Sequence, residues 1–197
     1  GIDNTGIGGA TLMSNTSGSS NTAVGVAALV SNTTASWNTA IGAQALQAVT
    51  TGDNNTAVGG AALNSNVTGT GNSALGSGAL QTTTASRNTA VGNTALFSNF
   101  TGTDNTAVGH FAGYTSTAAN ANISGIQNTY IGSDAGPGTA TQLNNTTAIG
   151  YGARVTTSNS LVLGNSSVNV GIGVTGPTSK LQVAGSITPD TTASKNL

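Results

Sequence analysis

The stretch Asn21-Thr22-Ala23-Val24-Gly25 decides the fold, because close copies of it recur along most of the chain. Successive closing glycines of these copies are 17 residues apart, with one step of 16, and looser copies end at Gly132, Gly150 and Gly164. A fixed period this short predicts a solenoid in which each repeat forms one turn on the last. The Asn, the aliphatic residue and the Gly of these copies form a predicted structural ladder: Asn21, Val24, Gly25; Asn38, Ile41, Gly42; Asn55, Val58, Gly59; Asn72, Leu75, Gly76; Asn88, Val91, Gly92; and Asn105, Val108, Gly109.

Each repeat predicts two short strands and two corners. Thr22 and Val24 alternate with Ala23, which is the two-residue period of a strand, and Ala28-Leu29 predicts a second strand. Gly25 is expected to turn the tight corner, since glycine takes positive φ without steric cost. Stacked turns place Asn over Asn and Val over Val, about 4.8 Å apart. The predicted fold class is therefore all-β, a parallel β-solenoid with 17-residue coils.

The apolar content of one turn predicts self-association. A repeat offers about two large apolar side chains, which is little burial to set against the entropy of ordering 17 residues. We therefore expect an oligomer, in which one ladder faces copies of the same chain along the length of the rod. The first turn, at residues 4–8, begins without a polar cap, so end-to-end assembly into a filament is a further expectation.

The composition excludes several classes of partner. Only 5% of residues are charged and the net charge is −1, so no basic stripe exists for nucleic acid. No run approaches 18 apolar residues, so membrane insertion is not expected. Without cysteine there is no disulfide or thiolate metal site. A nearly uncharged chain rich in Thr, Asn and Gly favours a protein that works outside cells. We expect that its export signal was removed or that export uses another route.

The phrase Asn-Thr-Ala-Val-Gly-x-x-Ala-Leu, over residues 1–164, resembles the head repeat of YadA-type trimeric autotransporter adhesins and segments of bacteriophage tail fibres. The resemblance implies a left-handed parallel β-roll with three chains side by side. It also implies an extracellular location, on a virion tail fibre or a bacterial surface. The adhesin heads use shorter repeats, so the longer corner here is expected to bulge outward.

A second segment of the chain, residues 165–197, resembles another part of phage fibres. Val170-Gly171-Ile172-Gly173, then Pro177, then the run from Lys180 to Ile187 is similar to the segment found near the ends of tail fibres and tailspikes. It implies a different, intertwined neck, and it favours a fibre over an autotransporter, which should end in a membrane anchor. In such fibres a cleaved chaperone commonly follows, so Leu197 is expected to be a processed or truncated end.

No arrangement of residues predicts catalysis or a cofactor. Residues 171–176 match G-x-G-x-x-G by letters, but Pro177 follows in place of a helix. His110 is the only histidine, and nothing in the sequence supplies a triad around it. The chain is therefore not expected to be an enzyme.

Three carboxylates are weak metal candidates. Asp3, Asp53 and Asp104 each lie just ahead of an Asn-Thr phrase, and in a three-fold assembly they could form rings that hold Ca²⁺. The simpler interpretation is that each is a turn residue that bonds nearby backbone.

Aromatic residues point to a contact surface. The interval from Gly109 to Gly132 is six residues longer than the usual repeat, which predicts an insertion at about 110–127. It contains His110, Phe111 and Tyr114, while Trp37 lies in the long corner of an earlier repeat. An extended loop with aromatics could contact a cell-surface glycan or receptor. The alternative is a bulge packed by its own rings, or an interface with a neighbouring chain.

The repeats favour a structural and adhesive fibre, which gives a rigid rod and multivalent attachment to a cell surface. Two alternatives remain: a self-assembling extracellular filament subunit, or an ice- or surface-binding solenoid. Against the second alternative, threonine is spread over several positions of the repeat and does not form one dedicated Thr-x-Thr column.

Overall fold

Short parallel strands stack in chain order in the computed structural model, which describes residues 1–114 and 117–186. A ten-stranded sheet contains β1 to β8, β10 and β12, and a short 3-10 helix spans Ala118–Asn120. The chain is an all-β parallel β-solenoid of about nine turns with coils of about 17 residues, so the predicted fold class is confirmed. The strands are β1 (Thr5–Ile7), β2 (Thr22–Val24), β3 (Thr39–Ile41), β4 (Thr56–Val58), β5 (Ser73–Leu75), β6 (Thr89–Val91), β7 (Thr106–Val108), β8 (Thr129–Ile131), β9 (Gly136–Pro137), β10 (Thr147–Ile149), β11 (Arg154–Val155), β12 (Leu161–Leu163), β13 (Val170–Ile172) and β14 (Leu181–Val183).

The register places equivalent residues of successive repeats over one another. Between β2 and β3, Ala23 pairs with Ala40 and Val24 pairs with Ile41. The same register continues from β1 to β7, including the pair β5 and β6, where the repeat is one residue shorter. The valines and isoleucines of the phrases therefore superpose along one line parallel to the solenoid axis.

The interior of each turn is narrow and filled by small side chains. The central alanine of the strand points inward, as at Ala23, and is fully buried. The opposite wall supplies Ala28 and Leu29, which are also fully buried. Because strand side chains alternate between faces, the threonine and the aliphatic residue on either side of the alanine point outward. Each regular turn thus buries one large apolar side chain.

Each regular turn contains one strand, so the prediction of two strands was wrong. Ala27 and Leu29 have φ of 58° and 53°, a left-handed conformation that interrupts a strand. This wall is still bonded from turn to turn, because the Leu29 N–H donates to the Ala45 carbonyl at 3.1 Å. In the described part of the chain, a second short parallel pair is found where β9 lies beside β11.

The glycine at the end of the strand turns the corner as expected. Gly42 has φ of 133°, and a Cβ built there would lie 2.6 Å from the carbonyl carbon of Gly59 in the next turn. Both the conformation and the close approach of the two turns require glycine.

The insertion and the C-terminal segment depart from the regular coil. The six additional residues lie between Gly113 and Asn122, where the Asn122 N–H donates to the Gly113 carbonyl at 2.8 Å. Residues 115–116 of the predicted insertion lie outside the described residues. Beyond β12, β13 and β14 form a separate parallel pair. The run from Lys180 contains β14, while Ile187 and the rest of the chain to residue 197 also lie outside the described residues.

Candidate functional surfaces

The asparagine of the repeat forms a buried hydrogen-bond ladder. The Asn38 N–H donates to Asn21 Oδ1 at 3.0 Å, and Asn38 Oδ1 accepts from the Asn55 N–H at 2.9 Å. Asn38 Nδ2 donates to the Gly52 carbonyl at 3.0 Å. The pattern ends at Thr146, which donates to the oxygen of the last asparagine. Because these buried polar groups are paired, the ladder fixes each turn on its neighbour. Its members are Asn4, Asn21, Asn38, Asn55, Asn72, Asn88, Asn105 and Asn128.

A second column of asparagines, buried except at Asn15, is incomplete. Its members are Asn15, Asn32, Asn66, Asn99 and Asn122, and each donates through Nδ2 to the carbonyl three residues later. Val49 and Thr83 take the place of asparagine in two turns. The Oδ1 atoms of Asn32 and Asn66, one turn before these replacements, are buried without a partner in the described protein. The interruption of the column explains both, since a following asparagine would supply the donor.

Two outward columns form a surface that we call the strand face. In the aliphatic column, exposure is 40% at Ile41, 50% at Leu75 and 60% at Ile7. In the hydroxyl column, no strand Thr or Ser hydroxyl has a partner among the described residues. Elsewhere hydroxyls are used internally: Thr33 Oγ1 donates to the Thr50 carbonyl at 3.0 Å. The strand face contains no charged residue. Its members are Thr5, Thr22, Thr39, Thr56, Ser73, Thr89, Thr106, Thr129 and Thr147, with Ile7, Val24, Ile41, Val58, Leu75, Val91, Val108, Ile131, Ile149 and Leu163.

Within one chain the three carboxylates proposed for metal lie apart, and the rings expected from three copies stay a prediction. Asp53 Oδ1 accepts from the Ser36 N–H at 2.7 Å, so it bonds backbone of the preceding turn. Asp104 forms a bidentate ion pair with Arg87, at 2.6 and 2.9 Å, and lies about six turns from Asp3. The hydrogen bonds from Arg87, with a smaller one from Thr103, lower the pKa of Asp104. Within residues 1–114 and 117–186, no group of three or more acidic or histidine side chains is placed to hold a metal ion.

Three of the predicted contact residues lie together. His110 and Phe111 have ring centroids 4.0 Å apart, and Phe111 and Tyr114 are 5.6 Å apart. Phe97 joins them, 5.2 Å from Tyr114. The sequence hypothesis did not include Phe97 among the contact residues, although Phe97 precedes Tyr114 by one repeat length and therefore stacks under it. Trp37 is 66% exposed at a different corner, four turns earlier, and does not join the cluster.

An open cavity of about 530 Å³ lies near the end of the ten-stranded sheet. Gly152, Arg154 and Leu163 are among its lining residues. The Arg154 guanidinium is already paired, since Nη2 lies 2.5 Å from Asp134 Oδ2 and Nη1 donates to the Asp134 carbonyl. The cavity therefore offers little uncompensated charge to a ligand.

Comparisons with known proteins do not assign the chain to a family. No protein-family model matches the chain, and no curated protein or solved structure matches it either. None of the helices in the described ranges is long and apolar enough to span a membrane.

Proposed function

We propose that the protein is a structural segment of an extracellular attachment fibre, either a phage tail fibre or a bacterial surface adhesin, in which three copies lie side by side. The observation that carries this proposal is the unbroken aliphatic column of the strand face, from Ile7 to Leu163. Soluble monomers rarely leave a continuous apolar stripe of this length uncovered. The resemblance of the repeat phrase and of the C-terminal segment to fibre proteins also supports the proposal.

The energy available from this column is comparable with the cost of association. The side chains of this column are partly exposed, by up to 60% at Ile7, and covering them contributes roughly 1 kcal/mol each. Summed over the turns, this is on the order of 10 kcal/mol, against an association cost of about 4–15 kcal/mol. The net charge of −1 adds little repulsion between copies. The free hydroxyls beside the column can pair with hydroxyls of a neighbouring copy, which limits their desolvation cost.

Such an assembly would act by rigidity and repetition. The asparagine ladders fix each turn on the next, so we expect the rod to be stiff over its whole length. Three parallel copies present every surface feature three times, which raises avidity without new contacts.

The mass of the protein in solution tests the proposal. Light scattering at several concentrations is expected to give a mass near three chains. Leu75→Lys, which places a charge in the aliphatic column, should reduce the mass toward one chain. Val26→Lys is the matched control, because Val26 is exposed but lies beyond Gly25, the glycine after β2, and therefore outside the strand face. A stable monomer at all concentrations would overturn the proposal, and a mass that rises without limit would favour the filament alternative.

The hydroxyl column favours a second candidate, a solenoid that binds ice or another ordered surface. The strand threonines do form one column, although their partner column is aliphatic and not a second row of threonine. Free hydroxyls repeat about every 4.8 Å along it. This function needs an uncovered strand face, so thermal hysteresis from a monomeric chain would favour it. A trimer without thermal hysteresis would exclude it.

A further inference from the structure

The rings Phe97, His110, Phe111 and Tyr114 form a surface cluster that we call the aromatic corner. His110 directly follows Gly109, which ends the coil's strand region after β7, so the aromatic corner lies outside the strand face. Copies that cover the strand face would therefore leave these rings available. His110 is exposed, while the other rings are half-buried.

The rings of the aromatic corner support one another from turn to turn. Phe97 lies over Gly78 of the preceding turn, where a built Cβ would be 3.5 Å from Phe97 Cδ2. Tyr114 packs on Phe97, Phe111 packs on Tyr114, and His110 packs on Phe111. Because these contacts hold the rings in place before any ligand arrives, binding would cost little side-chain entropy.

Phe111 occupies a backbone position whose left-handed conformation is unfavourable for a bulky side chain. Its φ is 58°, in the left-handed region, where a bulky side chain is unfavourable. Earlier turns place Ala27, Gln44, Ala61, Gly78 and Thr94 at this position of the coil, also at positive φ. Because this conformation recurs at the same position of each regular turn, it belongs to the coil and does not by itself distinguish Phe111.

Hydrogen-bonding groups flank the rings on both sides. In the preceding turn Asn93 and Thr94 occupy the same two columns as His110 and Phe111, and in the following turn Ser133 and Asp134 do so. Asn93 is exposed, and the charge of Asp134 is balanced by Arg154. The surface thus combines aromatic faces with amide, hydroxyl and carboxylate groups and little net charge.

This combination matches the chemistry of a sugar. A pyranose ring presents a face of C–H groups that packs on an aromatic ring, while its hydroxyls bond amides and carboxylates at the edge. A polyanion would need uncompensated cations, and the Arg154 guanidinium is already occupied by Asp134.

We propose that the aromatic corner binds a neutral carbohydrate, with Phe111 and His110 as the rings that contact it. The inference names the ligand class through which the protein would attach to a cell surface. It rests on that attachment role and not on the proposed three-chain assembly.

Calorimetric titration of the purified chain with neutral oligosaccharides tests it. The probes are hexasaccharides of glucose, N-acetylglucosamine, mannose and galactose, and at least one is expected to bind saturably in the millimolar range. Phe111→Gly should weaken that binding about ten-fold or more. It should also fold, because glycine relieves the left-handed conformation. Trp37→Gly is the matched control, since Trp37 is also an aromatic residue at positive φ, 62°, and should leave binding unchanged.

Each other result overturns the inference. Absence of saturable binding to all four probes does so, and so does an equal loss of binding in Phe111→Gly and Trp37→Gly when both retain the thermal transition of the wild type. Calorimetry measures binding per chain, so it is independent of the oligomer. A monomer that binds sugar would refute the fibre proposal but support this inference. A trimer that binds none of the probes would refute this inference but leave the fibre proposal standing.

Discussion

The ring of Tyr130 fills the space beside Gly113, where the preceding turns place a leucine. Gly113 follows Leu96 in the buried leucine column, and Tyr130 follows Ala107 in the buried alanine column of the strands. A Cβ built at Gly113 would lie 3.0 Å from Tyr130 Cδ2 and 2.6 Å from Leu96 Cδ2. Two departures from the repeat, one smaller and one larger, therefore compensate each other in the core.

This compensation predicts strong coupling between the two positions. Tyr130→Ala alone should lower the free energy of unfolding by about 3–5 kcal/mol, because it opens a cavity. Gly113→Leu alone should also destabilise, because of overlap with the ring. The double variant restores the regular repeat, so its loss should be smaller than the sum by about 0.5–3 kcal/mol in urea unfolding. Losses that simply add would contradict the account.

Tyr130 also predicts a specific alkaline sensitivity. Burial raises the pKa of its phenol from 10.0 to about 12, while a hydrogen bond with Thr146 acts in the opposite direction. Because the folded pKa exceeds the unfolded pKa, the stabilisation is fully present below pH 10 and is lost as pH rises toward 12. Two pH units correspond to about 2.7 kcal/mol. Unfolding free energies measured across this range should fall less steeply in Tyr130→Phe, and Tyr151→Phe, at an exposed ring, should behave like the wild type.

In the second asparagine column, substitution of asparagine by valine should have different effects on stability at two sites. Asn66→Val removes an Oδ1 that is buried without a partner. It also removes the Nδ2 bond to the Gly69 carbonyl, but Asn55 Nδ2 still donates to that carbonyl at 2.9 Å, so stability should change little. Asn99→Val removes an Oδ1 that accepts from Asn122 Nδ2 at 3.1 Å and from Asn105 Nδ2 at 3.5 Å. It should cost about 1–3 kcal/mol. Thermal unfolding of both variants decides, and equal losses would refute the assignment of the unpaired oxygens.

The corner that precedes each Asn-Thr phrase predicts gains from glycine. Trp37 has φ of 62° and Gly71, two turns later, has φ of 65°. Trp37→Gly should raise stability by up to about 1 kcal/mol, because its exposed ring contributes little packing and the left-handed conformation is relieved. Gly71→Ala should lower it by about 1 kcal/mol. A fall in melting temperature for Trp37→Gly would show that the exposed ring contributes packing.

The spacing of the phrases was sufficient to predict the stacked parallel strands, because a fixed period leaves one way to align Val24 with Ile41 and Val58. The direction of these side chains was not assigned. In a three-residue strand, alternation alone does not distinguish Ala23 outward from Ala23 inward. What decides is the opposite wall, where Leu29 leaves room only for a methyl group.

The residues other than glycine that adopt the left-handed conformation could not be predicted from the sequence pattern either. Glycine was expected to supply the positive φ, yet Ala27, Leu29 and Trp37 adopt it too. They do so because bonds between turns hold the backbone, for example from the Ala27 N–H to the Gly9 carbonyl at 2.8 Å. Repetition thus stabilises a conformation that local propensity disfavours. The aromatic corner could be predicted only in part, since Phe97 joins it through the stacking of turns.

The asparagine ladder has a consequence for how such chains change length. Every regular turn accepts from the next through the same oxygen and donates to it through the same amide, so neighbouring turns are interchangeable at their junctions. Duplication or loss of a whole repeat between Asn21 and Asn105 would keep the cross-section and move the aromatic corner along the axis by about 4.8 Å per turn. The molecule is therefore a ruler, in which the number of repeats sets how far a surface feature stands from its base.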